Sequence, residues 1–360
     1  MIYVTYVDLF HTLYYGITKK IMSQIKTFQQ HFGKVYYTFY QGGMMYLMDG
    51  ESVVEKEFCI SKEKCNASIA TWINKYGIQR IYVRYNLSDK WFVQFLKLQK
   101  ERNIKLVLEI PTYPYDGEIK DKRRKAEDKY YRQQLYKYVD WVATNSDAPE
   151  LWGMSCIKLL NGVDADMHPL HSKKADDKRI VFIAVSNMSA WHGYERLLEG
   201  LHQYYDQGGG YDFLFKIVGD GAEKEKYYLL TEEYGLKSKV EFCGILKGEE
   251  LNKQYEQADI AVSSLGLYKT GIQDVTPIKG AEYCVRGIPF ICGYHDMRFP
   301  RDAEYIMTVP NAPEPIDMWE VVRFYKEFTS QKNLKLKMRD YAKEHFSWER
   351  IMMPIIELLK

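Results

Sequence analysis

Short runs of β-branched and aromatic residues alternate with longer amphipathic runs along most of the chain, and this alternation restricts the fold more than any other feature of the sequence. A strand, a helix-length crossover and a second strand make a parallel pair, so repetition of that unit predicts an α/β protein with parallel sheets covered by helices. In the first half, strands are expected at residues 2–7, 35–40, 81–85, 105–110 and 141–144, with helical patterns between most of them. Gly42-Gly43 is expected to close a hairpin that interrupts the alternation. The polar stretch 171–179 is the best linker candidate. Beyond it the pattern restarts, with strands expected at 180–185, 213–218, 240–243, 260–263 and 288–292. Two doubly wound sheets follow, and periodicity alone leaves the final helical segment, 348–359, assignable to either of them.

A chain of 360 residues, 46% hydrophobic and 27% charged, is long enough for two cores and has the balance of an ordinary soluble globular protein. Fifty Lys and Arg stand against 48 Asp and Glu, a net charge of +2, which lacks the one-sided basic excess of a nucleic-acid binder. The six cysteines are scattered, with no C-x-x-C pair and no Cys/His array at zinc spacing, and read as reduced, packed thiols. No run approaches the roughly 18 apolar residues of a spanning helix, and the first residues lack a basic n-region followed by a long apolar run. A cytoplasmic protein is expected.

Open parallel sheets bind ligands beyond the carboxyl ends of their strands, where helix N-termini offer unpaired N–H groups and a positive dipole end. In the first half the corresponding loop runs through Tyr14 and Tyr15 to Gly16, whose bare backbone admits a ligand. In the second half it is 186–193, where Ser186, Asn187 and His192 collect at an expected helix start beside Gly193. Val218-Gly219-Asp220-Gly221 reads as a strand and a tight turn, too short to identify a nucleotide loop. The strongest constellation spans 274–289. Thr276 as N-cap and Pro277 at the first helical position start a helix ending near Gly287, and Lys279 and Glu282 share one face at i, i+3. That arrangement would set an ammonium and a helix dipole against a phosphate while the carboxylate accepts from a sugar diol; an ordinary surface ion pair is the plainer reading.

With these motifs in order, the chain resembles GT-B glycosyltransferases, in particular the family-4-like, nucleotide-sugar-dependent bacterial enzymes of surface polysaccharide assembly. The matching landmarks are Gly16, Asn161-Gly162-Val163-Asp164, Trp191-His192-Gly193-Tyr194, Val218-Gly219-Asp220-Gly221, Val240-Glu241-Phe242-Cys243-Gly244, Tyr255 with Ala258-Asp259-Ile260, the block 279–289 and Phe346-Ser347-Trp348-Glu349. The resemblance implies two Rossmann-like domains facing a cleft, an acceptor domain at 1–170 and a donor domain at 171–346. The helix at 347–360 returns to the first of them. It implies a nucleotide-diphosphate sugar as donor substrate with no further cofactor, a glycan or lipid-linked acceptor, and retention at the anomeric carbon. The family's paired glutamates, seven residues between them, correspond to Asp274 and Glu282. Glu282 would then grip the ribose hydroxyls and Asp274 would sit near the transferred sugar. Val275, Thr276 and Pro277 would present the helix end to the diphosphate, and backbone at Gly244, Ile245 and Leu246 would meet the base. Gly16, Ser186, Asn187, Gly219 and His192 complete the implied donor site, with Lys279, Asp274 and His192 as its catalytic members.

Two departures accompany the resemblance. The family's arginine and lysine after the first C-terminal strand are replaced by Ser186 or Asn187 and then His192, which leaves Lys279, assisted by Lys269 or a protonated His192, to neutralise the leaving diphosphate. The histidine common beyond the strand at 106–113 is absent. No metal is implied, because the sole Asp-x-Asp, Asp164-Ala165-Asp166, falls at the domain junction. A nucleotide-sugar epimerase or phosphorylase on the same fold and a non-catalytic partner subunit are the alternative readings. The basic run at 120–125 and the aromatics that follow suggest that residues 120–136 rest on an anionic membrane surface; a solvated helix with its aromatics in the core is the plainer account.

Overall fold

The computed structural model describes residues 1–11, 14–117, 119–174, 176, 178–271 and 276–360. They divide into two compact units, Met1–Asn161 with Trp348–Lys360, and Gly162–Ser347.

Among the described residues, the sheet of unit 1 has nine strands: β1 (Ile2–Val4), β2 (Tyr36–Gln41), β3 (Met44–Asp49), β4 (Ser52–Phe58), β5 (Arg80–Arg84), β6 (Lys105–Ile110), β7 (Trp141–Thr144), β8 (Glu150–Leu151) and β9 (Met154–Lys158). Their order is β4-β3-β2-β1-β5-β6-β7-β9-β8. The run from β2 to β9 is parallel, and β3, β4 and β8 join as antiparallel edges. The expected hairpin is present, with Gln41 opposite Met44 across Gly42-Gly43. Strand β4 was not foreseen because its solvated residues carry no apolar stripe.

Ile81, Tyr82 and Val83 are fully buried, since both faces of the central strands are covered. One face packs on Ile69, Trp72, Phe92 and Leu96. The other packs on Ile21, Ile25 and Phe28 of the helix Tyr15–Phe32 and on Met352, Ile355, Ile356 and Leu359 of the closing helix Trp348–Leu359. The last helix therefore belongs to unit 1. Its four core side chains contribute about 1.5–3 kcal/mol each by leaving water.

Unit 2 holds β10 (Arg179–Ser186), β11 (Asp212–Gly219), β12 (Val240–Gly244), β13 (Ile260–Val262), β14 (Phe290–Cys292) and β15 (Ile306–Thr308), in the order β12-β11-β10-β13-β14-β15 and all parallel. The short β15 was not anticipated. The division between units falls at Asn161–Gly162, upstream of the polar stretch at 171–179. Residues just after the division are tied into unit 2: Val163 is buried and donates its N–H to the Phe346 carbonyl at 2.7 Å, and Arg339 donates to the carbonyls of Ala165 and His168, each at 2.7 Å. The six cysteines are unpaired. Among the described residues no helix is long and apolar enough to cross a membrane.

Candidate functional site

The strand order of unit 2 determines where a ligand can sit. The chain leaves β10 toward β11 and β12 on one side, then returns to place β13 on the other, so the topological switch point lies between β10 and β13. In open parallel sheets ligands bind at such a point, beside the loops that leave the carboxyl ends of the strands. The loops are fixed by backbone contacts: Leu265 donates to the His192 carbonyl at 2.8 Å and Gly266 to that of Trp191 at 3.1 Å. Arg196, 1% exposed, ties the same loop down by donating to the carbonyls of Leu265 at 2.6 Å and Glu314 at 2.7 Å.

Two glycines make this closeness feasible. Gly193 has φ +63°, and a Cβ there would stand 2.5 Å from the Gly266 nitrogen. Gly219, at φ +125°, would drive a Cβ to 1.8 Å from the Ser186 carbonyl oxygen. The Gly219 turn thus seats β11 against the end of β10, and its first role is structural.

His192 is buried, and its Nδ1 accepts from the Ser189 N–H at 2.9 Å. Burial, reinforced by the charge of Lys279, lowers its pKa to about 3. The expectation of a protonated His192 is therefore corrected: the ring is neutral, Nδ1 is occupied as acceptor, and Nε2–H is the group left to donate. Lys269 is likewise not a free cation, because it pairs with Glu195 and donates to the Ala190 carbonyl at 3.1 Å.

Lys279 is different. Its Nζ is buried and, among the described residues, has no hydrogen-bond partner. Burial lowers its pKa to about 8, with Glu282 acting in the opposite direction. A buried ammonium without a partner is costly, and proteins keep such groups where a ligand supplies the missing charge. It stands on the first turn of the helix Ile278–Arg286, one turn ahead of the half-buried Glu282. The helix starts one residue later than expected: Pro277 is in extended backbone at the cap position, with no side-chain cap, and Thr276 lies before it. The Pro277 carbonyl is held by Arg298 at 2.5 Å, and Arg298 is in turn clamped by Asp296 at 2.6 Å. The first N–H groups of this helix have no partner within it, so anion binding by dipole and by hydrogen bond is available beside Lys279.

Of the other expected residues, Ser186 ends β10 and accepts from the Met188 N–H at 3.1 Å, and Asn187 is exposed beside it. Gly244 ends β12, Ile245 is 67% exposed and Leu246 is half-buried, a rim at the carboxyl edge of the same sheet. Asp274 and Val275 lie outside the described residues. Gly16 is in the first turn of the helix Tyr15–Phe32 of unit 1 rather than in a loop, exposed and with open space around it. Sequence reasoning missed Arg196, Gly266 and the Asp296–Arg298 clamp, all of which position the loops. Only Gly266 carried a local signal, a glycine just beyond a strand. Among the described residues no three His, Cys, Asp or Glu side chains gather where they could hold a metal ion. Asp164 instead caps the short turn Ala165–Met167 through the Asp166 N–H at 3.0 Å.

Residues 170–299, the segment containing this site, match the family model described as Glycosyl transferases group 1. The chain has the GT-B fold. A glycosyltransferase from Rickettsia africae ESF-5 superposes with a TM-score of 0.65 at 14% identity, over 100% of this chain and 97% of that one. HepE of Anabaena, solved in complex with UDP, gives 0.61 at 13% identity over 99% and 98% of the two chains. The sucrose-phosphate synthase of Thermosynechococcus elongatus gives 0.60 at 13% identity over 99% and 97%. No curated protein sequence matches the chain.

Proposed function

We propose that this protein is a glycosyltransferase that moves a sugar from a nucleotide diphosphate onto a glycan or lipid-linked acceptor, with retention at the anomeric carbon. One observation carries the reading: the buried Lys279 ammonium, without a hydrogen-bond partner among the described residues, at the opening turn of a helix inside the segment that matches the group 1 model. Sugar transfer leaves negative charge growing on the departing diphosphate, and fixed positive groups aimed there lower the barrier. Lys279 and the helix N-terminus supply that charge, and the reading calls for no divalent ion. His192 Nε2–H donates to the donor sugar or its phosphate, Glu282 accepts from the ribose hydroxyls, and the rim at Gly244, Ile245 and Leu246 receives the base. Asp274 is assigned to the transferred sugar. HepE is solved with UDP and with UDP-glucose, so these are the first ligands to try.

Glu282→Ala is expected to weaken UDP binding by about tenfold to a hundredfold, the loss of a charged hydrogen bond, with little change in turnover at saturating donor. Titration calorimetry decides it, and an unchanged UDP affinity would remove Glu282 from the site.

The enzyme is further proposed to act in surface polysaccharide assembly at the cytoplasmic face of the membrane. In support, Lys122, Arg123 and Arg124 are exposed on the helix Lys122–Arg132, and Tyr130 and Tyr136 are 67% and 51% exposed. The remaining aromatics of that stretch do not take part, since Tyr131 and Tyr138 pack against the core of unit 1 and Leu135 is buried in it. Co-sedimentation with phosphatidylglycerol vesicles, released by salt and absent with phosphatidylcholine, is the expected result. Equal recovery with both vesicles would end the membrane reading.

A further inference from the structure

Unit 1 has a switch point of its own. β1 lies between β2 and β5, the chain passing to β2 on one side and later to β5 on the other. Loops leaving these three strands should therefore frame a crevice. A cavity of 480 Å³ occupies that position, lined by Thr5, Tyr6, Asp8, Tyr40, Gln41 and Arg84 among others.

The lining pairs aromatic surfaces with hydrogen-bonding groups, which suits a sugar ring. Asp8 is oriented rather than free to swing: its Oδ1 accepts from the Phe10 N–H at 3.0 Å and from Gln41 Nε2 at 3.2 Å. Tyr40 is held by donation to the Cys59 carbonyl at 3.2 Å, and Tyr6 by Asn66.

Arg84 sets the charge of the wall. It is 8% exposed and donates to Glu109 at 2.8 Å, and Lys20 pairs with the same carboxylate at 3.0 Å. Glu109 is fully buried at the adjoining position of β6 and also accepts from the hydroxyls of Tyr3 at 3.2 Å and Tyr82 at 3.1 Å. With Asp8 counted the named side chains balance, but beside Arg84 one carboxylate answers two cations and leaves a local positive excess. Such an excess is stabilised when a ligand brings an anion. A sugar acceptor without charge would leave it unanswered.

We propose that the unit 1 crevice binds an acidic saccharide, its carboxylate or phosphate directed to Arg84 and a ring hydroxyl to Asp8. This rests on the glycosyltransferase reading, in which a second sugar must be bound, and it narrows the acceptor to an anionic class. The test is binding of glucuronate, glucose 6-phosphate and glucose to the full chain, followed by ligand-observed NMR, with UDP titrated in parallel. At least one charged sugar is expected to bind tenfold or more tightly than glucose, with an advantage that shrinks in high salt; which of the two binds better identifies the anion. Arg84→Gln should abolish the advantage and Arg84→Lys should retain most of it, with UDP affinity unchanged in both. Should Arg84→Gln fail to fold, the wild-type preference and its salt dependence still decide. Equal binding of all three sugars by a protein that binds UDP overturns this inference alone. Failure of the wild type to bind UDP overturns the donor reading instead.

Discussion

Replacing Lys279 by methionine is expected to cut the turnover number by roughly 10²–10³-fold, the cost of removing one preorganised charge from a developing anion. The methionine fills similar volume and needs no partner, so the fold should not suffer. It should gain. A buried ammonium with no partner among the described residues costs on the order of 1–3 kcal/mol, and the variant escapes that cost. The sign can be followed with pH. Lys279 has its folded pKa lowered to about 8 from 10.5. Between those values the unfolded chain holds more protons than the folded one, so the wild type gains stability as pH rises through that window. Below about pH 8 the penalty is present in full, and there the variant should melt at the higher temperature. A variant with less activity and a higher melting temperature is the signature of a group kept for function. The opposite pairing, unchanged turnover with a lower melting temperature, would make Lys279 a packing residue.

Gly193→Ala is expected to destabilise the protein by about 3 kcal/mol or more, from overpacking together with a strained backbone. The added methyl would stand 2.5 Å from the Gly266 nitrogen, 2.7 Å from its Cα and 2.8 Å from the Leu265 carbonyl carbon, all backbone atoms that cannot rotate away. At φ +63° any side chain adds strain of its own. Relief requires the two loops to part, and parting them breaks the Leu265 and Gly266 hydrogen bonds that seat His192. Chemical denaturation should therefore show a large loss of stability, and whatever protein remains folded should bind UDP poorly. A wild-type unfolding midpoint with intact UDP binding would mean that these loops are not locked together.

Much of this was legible in the chain because parallel strands covered on both faces must read as apolar runs. Residues 180–184 are such a run, and all five are buried in β10. Strand β4 lacked that signal, being solvated along most of its length, and β15 is too short to show a pattern. The start of the helix Ile278–Arg286 moved by one residue because Pro277 satisfies either the cap or the first turn on sequence grounds, and only its extended backbone distinguishes them. Spacing put Lys279 and Glu282 on one face, but the burial that leaves Nζ without a partner among the described residues depends on the surrounding fold. His192 was found from its place after a strand. Its neutral state comes from burial and from the charge of Lys279, which no spacing rule reveals. Arg84 was overlooked for a simpler reason: a charged residue closing the apolar run Ile81-Tyr82-Val83 reads as the edge of a strand, and its pairing with Glu109 joins segments far apart in the chain.

Calorimetric titration of UDP into the wild type and Lys279→Met, at pH 7 and at pH 9.5, tests most directly whether this lysine meets the diphosphate. If it does, wild-type affinity falls by about tenfold or more over that interval, because an amine that has lost its proton must regain it on binding. Proton uptake should also appear as a heat that varies with the buffer, while the variant binds weakly and to the same extent at both pH values. Equal wild-type affinity at pH 7 and 9.5, matched by the variant, would contradict the account.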